Sequence, residues 1–143
     1  MIKLFLEHVQ EKYLEIYLDD IGCDIFMHGL KRLSNDKKLY YNLSNIDINE
    51  QKKDFQVISH LLFLYITTPH ILNTDYNIKC SLLERNTIEL FFTLSGIDEM
   101  LYIVEFVKST GDHYHLYGGF NLYTGDDKTS FNILNAITIY KYV

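Results

Sequence analysis

His113 and His115, two residues apart with Tyr117 continuing the row, are the arrangement best suited to chemistry in this chain of 143 residues. Alternate residues of a strand share a face, so two imidazoles would stand side by side, as a metal site or an acid–base pair requires. The set is incomplete, because Asp112 falls on the opposite face and no HxxxH or HxxE pattern follows. The row reads instead as a half-exposed strand, with Tyr114, Leu116 and Phe120 toward the core. Cys23 with His28 or His60 has the residue types of a nucleophile and its base, but no spacing joins them. Both cysteines, Cys23 and Cys80, read as buried free thiols. Ser95-Gly96 and Gly118-Gly119 lack the strand–loop–helix context and following lysine of a phosphate cradle, and Gly125-Asp126-Asp127-Lys128 lacks the alternating carboxylates and terminal glutamate of a calcium loop. No catalytic, cofactor-binding or metal-ligating set is complete, and no enzymatic activity is expected.

Glu7, Glu11, Glu15 and Asp19 recur at four-residue steps. On a helix they form one acidic stripe, in which like charges cost about 0.2–0.5 kcal/mol per pair. Leu14 and Leu18 lie among these acids, giving a face both charged and apolar, fit to dock a basic protein. Twenty-one phenylalanines and tyrosines, and no tryptophan, add to this. Tyr102, Tyr114, Tyr117 and Tyr123 exceed what one small core needs, and tyrosine suits interfaces. The candidate partner-binding residues are Glu7, Glu11, Glu15, Asp19, Leu14, Leu18 and Tyr117.

The elements that must position these residues change character at the only proline, Pro69. Ile2, Phe5, Leu6, Val9, Tyr13, Ile16 and Tyr17 step by three and four, which predicts a helix over 2–18. A shorter helix follows Asp20 and stops near Ser34-Asn35-Asp36, with Gly22 and Gly29 weakening it. Residues 38–43 predict a short strand. Asp47 and Glu50 have the spacing of a capping box before a third helix, whose apolar run at 61–66 would form a central spine. Beyond Pro69, alternation predicts strands at 76–82 and 88–94 joined by a turn at 84–86. The continuous run 100–107 predicts a central strand after a turn at 95–98. Residues 114–123 predict a strand bulged at Gly118-Gly119 and 125–127 a loop, and 133–143 read as a last strand, with a helix starting at Ser130 fitting the first half almost as well. No internal repeat is evident.

The expected architecture is a single α+β domain over 1–143, with N-terminal helices packed on a curved antiparallel sheet built mainly from the C-terminal half. This element order resembles the cone-shaped fold of nuclear-transport-factor-like proteins. Composition fits a folded globule, with 48% hydrophobic and 22% charged residues. The start lacks a basic region ahead of a long apolar run, and no apolar stretch is long enough to span a bilayer, so a cytoplasmic protein is expected. The net charge of −6 disfavours nucleic acid and complements a basic protein partner. In size, charge and missing chemistry the chain resembles bacterial immunity proteins. That resemblance implies a small acidic inhibitor without a cofactor, neutralising a basic toxin such as a nuclease by direct binding. The alternatives are a cone-fold small-ligand binder or enzyme using His60, His113 or His115, and a homodimeric adaptor or secretion chaperone.

Overall fold

Residues 2–7 and 13–18 form two paired strands rather than one helix. β1 (Ile2–Glu7) pairs antiparallel with β2 (Tyr13–Leu18), from Ile2 opposite Leu18 to Glu7 opposite Tyr13. The helical spacing of the sequence arises because both faces of this hairpin are covered. Ile2, Leu6 and Ile16 come from its inner face, while Phe5, Tyr13 and Tyr17 come from its outer face, and together they imitate a period near 3.6. The computed structural model describes residues 1–7, 13–36, 40–43, 46–65, 78–83, 86–124 and 131–142, with residues 79, 81, 83, 117–124 and 131–135 described by backbone alone.

The described residues make an α+β fold of two helices and one mixed sheet. After β2 come α1 (Asp20–Asp36), β3 (Tyr41–Leu43), β4 (Gln56–Val57), β5 (His60–Tyr65), β6 (Ile78–Leu83), β7 (Thr87–Phe92), α2 (Leu94–Thr110), β8 (Tyr114–Thr124) and β9 (Phe131–Lys141). The sheet order is β3-β5-β7-β6-β8-β9-β2-β1-β4, and the joints β5·β7, β6·β8 and β2·β9 are parallel. N-terminal strands thus supply much of a sheet that was expected to be antiparallel and C-terminal. The order of elements behind the nuclear-transport-factor resemblance is not the observed one.

The expected third helix is replaced by β4 and β5. Asp47 accepts a hydrogen bond from the backbone of Asn49 at 2.9 Å, closing a local turn instead of capping a helix. Along β5 Leu61 and Phe63 enter the core and Tyr65 packs against it, while Leu62, expected in the spine, faces the other way and is half-buried. The run 100–107, expected as a central strand, lies within α2. Thr93 caps that helix by accepting the Gly96 amide at 3.1 Å, and Gly111 ends it at φ 77°. The helix starting after Asp19, the hairpin of β6 and β7, and strands β8 and β9 follow the sequence reading, and the register shift between Tyr117 and Phe120 marks the expected bulge. Pro69, Glu11, residues 84 and 85 and the loop 125–127 lie outside the described residues.

The topology contains a duplication. Each half of the chain is a hairpin, a helix and a second hairpin: β1-β2-α1-β3-β5 and β6-β7-α2-β8-β9, with β4 an addition to the first. Both helices have 17 residues. The second strand of each half's first hairpin pairs in parallel with the last strand of the other half, β2 with β9 and β7 with β5. The parallel joint β6·β8 has a reduced counterpart in the bridge from Ile2 to Ile46, three residues past β3. Register then equates Ile2 with Ile78, Lys3 with Lys79, Glu15 with Glu89 and Tyr41 with Tyr114, and the helices equate Gly22 with Gly96.

Inner-face residues of the sheet, among them Leu4, Ile16, Leu90, Phe63 and Ile139, pack with Phe26 and Leu30 of α1 and Met100, Ile103 and Val107 of α2. Two glycines let α1 reach the sheet at separate places. A Cβ on Gly22 would lie 2.2 Å from the Met1 carbonyl oxygen, and one on Gly29 would lie 2.8 Å from the Tyr41 ring. Alanine at an ordinary helix position is about 1 kcal/mol better than glycine. Here Gly22→Ala and Gly29→Ala are each expected to destabilise by about 1–3 kcal/mol through overpacking. Urea melts check this, and a gain in stability would contradict the close packing.

Candidate functional site

The outer face of β1, β2, β9 and β8 gathers residues from both ends of the chain. Cross-strand register sets Lys3 beside Tyr17 and Tyr17 beside Tyr140; a second row runs Phe5, Glu15, Thr138, His115; a third runs Glu7, Tyr13, Ala136, Tyr117. Aromatic contact continues along the first row. The Tyr17 and Tyr140 rings stack at 4.7 Å, His113 lies 5.6 Å from Tyr140, and His115 lies 4.7 Å from His113. His115 Nδ1 is 2.8 Å from Thr138 Oγ1.

Over the β1–β2 part of this face lies a strap, residues 46–57, fastened by charge and by rings. Lys3 pairs with Glu50, and Lys52 with Glu15. Phe55 meets Phe5 and Tyr13 edge-on at 6.4 and 5.4 Å, and β4 pairs with β1. The Lys52 ammonium lies 4.4 Å from the Phe55 ring centroid, a cation–π distance. Beneath the strap Glu15 is only 5% exposed, and its carboxylate accepts hydrogen bonds from Lys52 and from the Tyr17 hydroxyl at 3.2 Å. Burial, then the negative charge of Glu15, pushes the Tyr17 and Tyr140 phenols above their ordinary value. For Lys52, burial is the largest single effect and acts downward, but the hydrogen bond to Glu15, the Glu15 charge and Tyr17 together outweigh it and raise the ammonium above its ordinary value.

The acidic stripe is not formed, because no helix carries it. Glu7 and Glu15 instead share the outer sheet face with the Tyr117 backbone position. Asp19 caps α1, accepting from the Gly22 amide at 2.7 Å and from the N-terminal ammonium at 2.6 Å. Leu14 and Leu18 are fully buried on the opposite face, so they cannot dock a partner in this fold. Cys23 and Cys80 are buried free thiols; burial pushes Cys23 up to about 11 and raises Cys80 as well, which keeps both protonated. His28 and His60 are exposed. Among the described residues no three metal-ligating side chains converge, and no helix is long and apolar enough to cross a membrane. Two recesses, of about 200 and 440 Å³, lie at opposite ends of α1.

A second surface was hidden by the strand reading of 100–107. α2 turns Asp98, Glu99, Tyr102 and Glu105 outward together, and Tyr102 is 66% exposed. Lys108 near the end of this helix is engaged by Asp24 of α1 at 2.7 Å, leaving the acids of this patch in excess. Helical spacing alone finds these residues once Thr93 and Gly111 are recognised as the helix boundaries. The chain matches no family model, no curated protein and no solved structure.

The Glu15 site yields an alkaline prediction. Lys52 has its folded pKa raised, so its contribution is present below about pH 10 and is lost as pH rises through the folded value. Tyr17 and Tyr140, also raised, keep protons that the unfolded chain releases, which lowers stability in the same window. Glu15→Gln is expected to cost about 1.5–3 kcal/mol at neutral pH, toward the lower end because Lys52 reaches solvent, and to flatten the alkaline decline. Denaturant melts from pH 7 to 11 test this, and identical profiles for wild type and variant would refute it.

Proposed function

We propose that the protein is a small acidic inhibitor of the immunity type, which neutralises a basic toxin domain, such as a nuclease, by covering its surface. The observation that carries this reading is the outward face of α2, where three carboxylates surround an exposed tyrosine. Carboxylates at the rim of a contact draw in a basic partner and speed encounter, while a central aromatic slows its departure. The net charge of −6 acts in the same direction over longer range. Such an inhibitor works by covering its partner and requires no bond-making group.

The partner to test is a basic toxin domain encoded beside this gene. Glu99→Lys with Glu105→Lys is expected to slow association about tenfold or more at low salt and to flatten its dependence on ionic strength. Tyr102→Ala is expected to speed dissociation by about tenfold or more, the effect of losing an anchor worth at least 1.4 kcal/mol. Stopped-flow association and a thermal melt of each variant separate binding from folding. Unchanged kinetics in both variants, or an acidic partner, would overturn the proposal.

A further inference from the structure

α1 and α2 pack against each other on the inner face of the sheet, and the stripes they turn away from it differ in charge. On α1 the exposed residues Ile21, His28, Lys31 and Arg32 fall on one stripe, and on α2 Asp98, Glu99, Tyr102 and Glu105 do the same. The acids in the early turns of α1 are engaged by lysines, Asp20 by Lys141 and Asp24 by Lys108. In its later turns Arg32 meets Asp36 only in an exposed pair at 3.6 Å, so Lys31 and Arg32 together leave that end cationic. Exposed apolar surface lies on both stripes, with Ile21 and Tyr102 each 66% exposed.

We infer that this helix layer is a self-association surface, on which a second copy of the chain docks about a two-fold axis, α1 of each copy against α2 of the other. A basic partner satisfies only the α2 stripe and an acidic one only α1, whereas a second copy carries both. An isologous contact sets the cationic end of α1 on the carboxylates of α2 twice over. Two helices of 17 residues cover about 25 Å by about 20 Å, a footprint of about 500 Å² on each copy and about 1,000 Å² in all, at the lower limit for a specific interface. The net charge of −6 also repels two copies at long range, so the dimer is weak and reversible. It covers the α2 stripe proposed above to meet a toxin, so the two uses exclude each other; the inference itself rests on the helix charges and not on that reading.

Sedimentation velocity over a concentration series, with no toxin present, tests this. Wild type is expected to pass from monomer to dimer with a micromolar dissociation constant. Lys31→Glu with Arg32→Glu, and separately Glu99→Lys with Glu105→Lys, should each weaken the dimer about tenfold or more by setting like charges together. The second variant has a smaller net charge than wild type, so general repulsion cannot explain its loss. An equal mixture of the two variants should recover the dimer, because one of its two helix contacts is then native and the other has both charges reversed. All four side chains are exposed, and recovery in the mixture itself requires both variants to be folded. A wild type that stays monomeric at every concentration would overturn the inference. So would a variant that dimerises as well as wild type, or a mixture that associates no more than its components.

Discussion

Neither half of this chain can complete its own sheet. The strand that closes each half, β5 or β9, has its parallel neighbour in the other half, β7 or β2. Unpaired backbone groups at a buried strand edge are costly, so these two joints are obligatory and together lock the halves into one unit. The inner face of the sheet then packs on α1 and α2, and the helices contact one another along the seam between halves, tied at one end by Asp24 and Lys108. The outer face over β2 and β9 arises from the same joint. It is the β2·β9 register that sets Glu15 beside Thr138 and Tyr17 beside Tyr140.

The asymmetry between the halves is where the chain has acquired separate surfaces. A duplicated unit presents each surface twice, and the strap removes one copy by covering it with Lys52 and Phe55. The helices diverge as well. Position for position, His28 and Lys31 on α1 correspond to Tyr102 and Glu105 on α2, so that an exposed aromatic and a carboxylate stand on α2 where α1 carries a histidine and a lysine. The outward faces of the two helices thus differ at these positions while the core positions remain apolar in both.

Much of this was legible in the sequence where one face of an element meets solvent. α1, the β6–β7 hairpin and the bulged β8 show their periods because polar residues mark the outer side. The pattern misleads where both faces are covered. Phe5, Tyr13 and Tyr17 stand on the outer face beside the strap, so the alternation that Lys3, Glu7 and Glu15 would mark in β1 and β2 is diluted by large side chains on both faces. A short apolar run such as 100–107 fits a buried helix and a buried strand equally, and only the flanking Thr93 and Gly111 decide it. The duplication escapes inspection because few residues are shared and the strap interrupts the first copy; strand register makes it visible. Glu7 and Glu15 were grouped by a helical spacing that the fold does not have; they share the outer sheet face through strand pairing, and Lys52 and Tyr140 reach that face only through long-range contacts.

Interleaving of the two halves is tested most directly by dividing the chain between Tyr65 and Ile78 and preparing the two pieces separately. The account predicts that neither piece folds as a monomer, and that mixing them restores one folded species with slow amide exchange in β2, β9, β5 and β7. A single piece that folds alone as a monomer with protected strands, or a mixture in which those four strands stay unprotected, would contradict it.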